Sequence, residues 1–182
     1  MNLLEYKNIA LQRLNKTIAE NTNESMRYSC MGLIEETGEI IAELRKPLFK
    51  GNFHEKALDI NNIKSELGDL IWYIALMCKD YNVDISEVEK FEITKNKVQL
   101  PRREEIIRTA ISMGQSTGQI VGECMEIYEK SKNNEELTNK MQELYKYINQ
   151  LACVLEIDIE QILDENVKKI NCRYNDKGDI NR

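Results

Sequence analysis

The chain has 182 residues, enough for one medium-sized domain or two small ones. Its formal net charge of −6 argues against nucleic acid as a partner, because that binding depends on lysine and arginine neutralising phosphates. With only 2 prolines and 8 glycines, it has few of the turn residues that a many-stranded β-sandwich needs. The composition therefore predicts an all-α protein.

The cysteine pattern and the apolar pattern indicate the compartment. The 5 cysteines are scattered, odd in number and never arranged as Cys-x-x-Cys, which favours reduced thiols over a disulfide framework or a zinc site. No apolar run approaches the roughly 18 residues of a membrane span. The first residues lack the basic-then-apolar order of a secretion signal. We expect a soluble, cytoplasmic protein with no membrane partner.

Apolar residues recur at helical spacing along most of the chain. Three predicted helices run from Leu3 to about Glu20, from about Glu24 to Arg45, and from about Asn61 to Asp80. Pro47 is expected to end the second helix, because the residue before a proline disfavours the α conformation. A fourth helix is predicted to begin at Asp84 with a capping-box pattern and to end before Pro101.

The second half of the chain repeats the pattern of the first. The sequence that begins at Thr37, Thr-Gly-Glu-Ile-Ile-Ala-Glu, is echoed from Thr117 as Thr-Gly-Gln-Ile-Val-Gly-Glu. Two units, 1–100 and 101–182, are therefore predicted to descend from a tandem duplication and to pack as an intramolecular pseudo-dimer around a four-helix core. A chance likeness between amphipathic helices is the alternative.

Acidic side chains of the second and third predicted helices lie at the edge of the apolar seam, outside the solvent face. Glu36 and Glu39 are three positions apart and share their sector with Gly32, whose missing side chain is expected to leave room for a ligand. Glu66 and Asp69 form a second pair with the same spacing. Four facing carboxylates repel one another unless their pKa values rise or a cation lies between them.

The donor type indicates the class of cation. Oxygen ligands without histidine or cysteine at ligand spacing favour Mg²⁺, with Mn²⁺ as an alternative, over zinc. A di-iron site fits poorly, because such bundles use Glu-x-x-His motifs and the only histidine, His54, lies in a predicted loop.

The acidic motif resembles that of a known family. Glu35-Glu-Thr-Gly-Glu, followed by Glu66-Leu-Gly-Asp, is similar to the Glu-Glu-x-x-Glu … Glu-x-x-Asp signature of the MazG-like, all-α nucleoside triphosphate pyrophosphohydrolases. The resemblance covers residues 3–84 well and the second half as a degenerate copy. It implies a Mg²⁺-dependent cleavage of a nucleoside triphosphate between its α- and β-phosphates, giving a monophosphate and pyrophosphate.

The resemblance also implies roles for individual residues. Four carboxylates would hold the metal ions: Glu36, Glu39, Glu66 and Asp69. Glu35 would orient or deprotonate the attacking water. Tyr73 shares the helical sector of Glu66 and is a candidate to stack on the nucleobase, whereas Trp72 points away from that sector.

The acidic cluster is largely lost from the second half. Its four positions correspond to Ser116, Gln119, Lys140 and Glu143, so we expect no catalytic metal there. The end of the chain instead resembles the Asn-x-x-Lys-Leu-x-x-Arg-Tyr tail of the same family, whose polar residues bind phosphate. The corresponding residues are Asn166, Lys169, Arg173 and Tyr174, and the first half keeps only Lys95.

One composite active site is therefore predicted, with metal ligands from one half and phosphate-binding residues from the other. A basic helix end that complements the helix dipole is the alternative for the tail. Three functions stay open: a pyrophosphohydrolase acting on (d)NTPs, a dUTPase-type enzyme on the same scaffold, and a catalytically idle bundle that binds nucleotides or a partner protein. Further homo-oligomerisation also stays open.

Overall fold

The computed structural model describes residues 1–14, 22–49, 58–91, 100–130 and 134–173. Within these segments there are seven α-helices: α1 Leu3–Ala10, α2 Thr22–Phe49, α3 Ile60–Asp80, α4 Ile85–Val88, α5 Arg102–Lys130, α6 Glu135–Leu155 and α7 Ile159–Arg173. A short 3₁₀ turn, Leu11–Arg13, follows α1, and the described segments contain no strand. The predicted all-α class is confirmed. None of the described helices combines the length and hydrophobicity that a membrane span requires.

Two pairs of long helices form the core. Helix α2 packs along α3, α5 packs along α6, and α2 and α5 contact each other between the two pairs. Apolar residues of all four helices are fully buried in one cluster, among them Leu33, Ile71, Ile120 and Leu144. Helix α7 packs on α3, and α1 lies against α7. The first and last helices of the described chain therefore meet beside α3.

The two halves contain long helices in the same order, and they meet at equivalent positions. The hydroxyl oxygens of Thr37 on α2 and Thr117 on α5 are 2.9 Å apart and buried. These threonines begin the two echoed sequences, so the contact is the one that a pseudo-dimer requires. The common ancestry of the two halves stays a prediction.

Helix α2 ends at Phe49, so the predicted end at Arg45 is wrong. Pro47 lies in the last turn, where its missing N–H removes one helical hydrogen bond. Leu48 is buried in the core, and Arg103 of α5 donates a hydrogen bond to its carbonyl oxygen at 3.1 Å. The Arg103 guanidinium also lies 5.1 Å from the centre of the Phe49 ring. These tertiary contacts stabilise a turn that local preference alone disfavours.

Other predicted helix ends also differ from the structure. Helix α1 ends at Ala10, and residues 15–21 lie outside the described part. Asp84 caps α4, as expected, but its carboxylate accepts from the backbone N–H of Ser86 at 2.9 Å. Within the described residues, α4 is only four residues long.

A close approach between α2 and α3 occurs at Gly32. A Cβ atom at this position would lie 2.1 Å from the ring of Tyr73, which leaves no room for a side chain. The Tyr73 ring fills the space that the sequence suggested for a ligand, so that expectation is wrong. Gly32 instead lets the aromatic ring pack against the backbone of α2.

A second close approach, at Gly68, fixes α7 against α3. A Cβ atom here would lie 2.9 Å from both Cβ and Nδ2 of Asn166 on α7. The same asparagine is buried, and its Oδ1 accepts a hydrogen bond from the hydroxyl of Tyr6 on α1 at 2.5 Å. Three helices therefore meet around one amide side chain.

The two glycines of α2 provide a matched test of the Gly32 contact. We expect Gly32→Ala to reduce the free energy of unfolding by about 2 kcal/mol, because the Tyr73 ring must move. Gly38→Ala should increase it by about 0.5–1 kcal/mol, because an added Cβ there meets no described atom within 4 Å and alanine favours the helix. Urea denaturation of both variants measures the difference, and effects of equal sign would contradict this account.

Candidate active site

Three carboxylates form an acidic cluster between α2 and α3. Glu36 and Glu39 follow one another on the same face of α2, and Glu66 lies opposite them on α3. Each can offer one oxygen, with all three oxygens within 4.8 Å of one another. Glu36 and Glu66 are partly buried, and Glu39 is exposed. Oxygen donors at this spacing fit a hard divalent cation such as Mg²⁺ or Mn²⁺.

The electrostatics of the cluster favour a proton or a cation. Burial raises the pKa of Glu36 to about 8, and the charges of Asp69, Glu66 and Glu39 add to this rise. Burial also raises the pKa of Glu66, while a hydrogen bond from Glu36 opposes that shift. At neutral pH, the raised pKa of Glu36 therefore favours its protonated form. A metal ion that binds here must displace this proton.

Asp69, the fourth predicted metal ligand, is held by α7. Its carboxylate forms an ion pair with the ammonium group of Lys169 and accepts a hydrogen bond from Nδ2 of Asn166 at 2.7 Å. Lys169 also donates to the hydroxyl of Ser65 at 2.8 Å. A predicted metal ligand and two predicted phosphate-binding residues are thus in direct contact. Asn166 is buried, and its hydrogen bond orients the Asp69 carboxylate.

An open pocket of about 430 Å³ lies beside the acidic cluster. It is lined by Tyr28, Glu36, Asp69, Trp72, Tyr73, Lys169, Ile170 and Arg173. Acidic side chains of α2 and α3 therefore share one pocket with basic side chains of α7. Arg173, the last residue of α7, is exposed at its edge.

Three aromatic side chains form one wall of this pocket. The Tyr73 ring lies edge-to-face with Trp72 at 5.0 Å between centroids, and its hydroxyl donates to that of Tyr28 at 3.3 Å. Trp72 also meets Tyr28 edge-to-face at 6.4 Å. The prediction that Trp72 points away from this region is wrong, because its large side chain reaches back beside Tyr73. The sequence reasoning missed Tyr28, although its i, i+4, i+8 spacing with Gly32 and Glu36 places all three on one face of α2.

The remaining predicted residues lie in different places. Glu35 is exposed on α2, and its charge is one of the minor contributions that raise the pKa of Glu36. Lys95 and Tyr174 lie outside the described residues, as does His54.

The second half has an internal cation near the equivalent position. Lys140, which corresponds to Glu66, contacts the carboxylate of Glu123 at 2.7 Å and that of Glu136 at 2.6 Å. Hydrogen bonds to these carboxylates raise the pKa of Lys140. Glu123 is 4% exposed, and Ser116, which corresponds to Glu36, is also buried. Here a lysine ammonium neutralises a buried carboxylate.

The pKa of Glu36 predicts a pH dependence of stability. The unfolded carboxyl titrates near its ordinary 4.5, and the folded one near 8, so the folded state holds the proton over this range. Its contribution to stability is fully present below 4.5 and is lost as the pH rises through 8. In EDTA, we expect the Tm to fall between about pH 4.5 and about pH 8 and to level off above that, and Glu36→Gln to flatten the fall. The exposed substitution Glu104→Gln controls for the loss of one charge, and an equal slope in all three proteins would contradict the assignment.

The Lys140 pair predicts a loss of stability on one substitution and its recovery on a second. Lys140→Met should lower the free energy of unfolding by about 3 kcal/mol, because Glu123 stays buried without the ammonium group. Adding Glu123→Gln should restore most of this loss, because the buried charge that faced Lys140 is removed. Urea denaturation measures both, with the exposed substitution Lys168→Met as a control. Equal stability of the single variant and the wild type would show that the pair contributes nothing.

Comparisons with known proteins agree with this site. Residues 21–103 match the family model of the MazG nucleotide pyrophosphohydrolase domain, and this segment contains the four predicted metal ligands. The Gene 37 protein of Mycobacterium phage L5 is 31% identical over 72 residues, which are 40% of this chain and 63% of that protein. The alignment thus spans less than two thirds of the relative's length. No solved structure gives a significant match. By sequence, residues 21–103 of this chain are similar to the MazG nucleotide pyrophosphohydrolase domain.

Proposed function

We propose that the chain is a metal-dependent pyrophosphohydrolase that converts a (d)NTP and water to a (d)NMP and pyrophosphate. The observation that carries this proposal is the shared pocket of α2, α3 and α7, in which Glu36 and Asp69 face Lys169 and Arg173. A triphosphate needs both kinds of group, because cations bind its oxygens and carboxylates hold the metal that neutralises its remaining charge.

The acidic cluster is the proposed metal site. Glu36, Glu39 and Glu66 would hold Mg²⁺ or Mn²⁺, and Asp69 would complete the set from the same side of α3. A bound divalent ion supplies charge neutralisation and a more acidic water at neutral pH. Three carboxylates within reach of one another, with Glu36 protonated in the metal-free state, support this assignment.

The other side chains bind and orient the substrate. Lys169 and Arg173 contact the phosphates, while Asn166 keeps Asp69 in position through its 2.7 Å hydrogen bond. Glu35 accepts the proton of the attacking water, whose oxygen bonds to the α-phosphorus. The bond between the α-phosphorus and the bridging oxygen breaks, and pyrophosphate leaves. Phosphate binding by Lys95 and Tyr174 is proposed from the sequence pattern alone.

The aromatic wall is the proposed site of the nucleobase. Tyr73 is 9% exposed and is fixed against Gly32, so its ring offers a rigid edge to a ligand in the pocket. The buried Nε1 of Trp72 has no hydrogen-bond partner among the described residues. A base that carries a carbonyl oxygen would supply one after a small movement of the indole.

The same proposal extends to the organisation of the whole chain. Residues 1–100 and 101–182 form one pseudo-dimeric unit with a single active site, supported by the contacts of α7 with α3 and of Thr37 with Thr117. No disulfide joins the five cysteines to one another, which fits a cytoplasmic protein.

Release of pyrophosphate from each common NTP and dNTP and from dUTP, with Mg²⁺ and with EDTA, tests the function. We expect metal-dependent turnover that Glu39→Gln reduces by about a hundredfold or more, because a ligand of the metal is lost. The ranking of substrates separates a broad enzyme from a dUTPase. Nucleotide binding without any turnover would instead support an idle binding bundle.

The composite site predicts a defect in substrate binding when the α7 cations are removed. Lys169→Ala combined with Arg173→Ala should raise KM about tenfold or more, because two charge-assisted contacts to phosphate are lost. Lys168→Ala, on the same helix but exposed, serves as a matched control. Circular dichroism should show that the fold is retained. Full catalytic efficiency in the double variant would mean that α7 does not contribute to the site.

A further inference from the structure

A second pocket lies beside the first, also between α3 and α7. It is open to solvent and encloses, with the solvent at its mouth, about 460 Å³ of empty space. Its polar lining consists of Asn61, Lys64, Ser65, Glu165, Asn166 and Lys169. The function proposed above assigns no role to its far end, where Asn61, Lys64 and Glu165 lie.

The two pockets form consecutive sections of one groove. Lys64 contacts Glu165 at 2.8 Å and Asp69 contacts Asn166 at 2.7 Å, with sequence separations of 101 and 97 residues. The second pocket is lined by residues 61–65 of α3 and 162–169 of α7, and the first by residues 69–73 and 169–173, so the two helices run in the same direction along the groove. Lys169 stands where the pockets meet, because it contacts Asp69 in the first and Ser65 in the second.

Chemical groups follow one another along α3 in a regular order. Trp72 lies at the aromatic wall, Asp69 beside the acidic cluster, and Ser65 and Asn61 in the second pocket. At a rise of 1.5 Å per residue, the distance from Asn61 to Trp72 along the helix is about 16 Å. An extended nucleoside triphosphate follows the same order, from base to α-phosphate to the terminal phosphates.

The far pocket contains donors suited to phosphate oxygens. The side chain of Lys64 is only 13% exposed, and its ammonium group donates to the carboxylate of Glu165 at 2.8 Å. The Ser65 hydroxyl and the Asn61 amide lie on the same wall. Because Glu165 is 45% exposed, its carboxylate can turn to solvent and leave Lys64 to another anion. A lysine ammonium with neutral donors beside it is a common phosphate-binding arrangement.

We propose that this second pocket binds the β- and γ-phosphates of the substrate and then holds the pyrophosphate that leaves. The inference rests on the proposed function and adds a subsite to it. The anion-binding residue of this subsite is Lys64, whose ammonium group pairs with Glu165 when no phosphate is bound. Lys169 contacts the polyphosphate at the point where the α–β bond breaks.

Inhibition by pyrophosphate tests the subsite, because two substitutions should act in opposite directions. Lys64→Gln should raise the inhibition constant of pyrophosphate about tenfold, because a charge-assisted contact is lost. Glu165→Gln should lower it severalfold, because the competing carboxylate is removed. Both changes break the same ion pair, so simple loosening of α7 would shift both constants in the same direction. Inhibition by the nucleoside monophosphate, which does not reach the far pocket, should be unchanged in both variants.

The control variant is Lys168→Gln, which removes an exposed charge of α7 and should have little effect. Unchanged inhibition constants in Lys64→Gln and Glu165→Gln, with normal turnover by the wild type, would overturn the subsite and leave the proposed function intact. If the wild type turns over no nucleotide, the proposed function fails. In that case, calorimetry of each variant with Mg²⁺ and pyrophosphate, and separately with inorganic phosphate, tests the pocket directly. Equal affinity for pyrophosphate in all variants would overturn the subsite.

Discussion

Asp69 of α3 binds Lys169 and Asn166 of α7, and this contact joins α3 to the last described helix at the candidate site. Asp69 lies beside the acidic cluster and is one of the charges that raise the pKa of Glu36. The side chain of Asn166 also accepts a hydrogen bond from the hydroxyl of Tyr6, so α1 supports the same contact. The pocket, the placement of the cations and the groove between α3 and α7 all depend on this arrangement. Without α7, the first pocket would keep Glu36 and Asp69 but lose Lys169 and Arg173.

The two halves of the chain offset the charge of a buried carboxylate in different ways. In the first half, Glu36 is protonated near neutral pH because burial and neighbouring acids disfavour its charge. In the second half, Lys140 supplies an ammonium group to the buried Glu123. The first arrangement leaves an exchangeable proton that a metal ion can replace, and the second contains its own cation. This difference explains how one fold can keep a reactive cluster on one side and a stable ion pair on the other.

Close packing decides which groups enter the pocket. At Gly32 the backbone of α2 touches the ring of Tyr73, which sets the aromatic wall. At Gly68 the backbone of α3 touches Asn166, and this contact sets how closely α7 approaches α3. In both places a missing Cβ lets a polar or aromatic side chain from a neighbouring helix occupy the space. The two glycines therefore allow neighbouring side chains to pack against the helix backbones, and they do not provide space for a ligand.

The sequence by itself determined the helical class, most of the long helices and the pairing of Glu36 and Glu39 with Glu66, because helical periodicity and i, i+3 spacing are local properties. It also indicated that the acidic residues and the basic tail serve one site. Only the tertiary structure decided the extension of α2 through Pro47, the filling of the Gly32 space by Tyr73 and the inclusion of Trp72 and Tyr28 in the pocket. Each of these depends on contacts between helices far apart in sequence or on the reach of a large side chain. Spacing along a single helix carries no information about either.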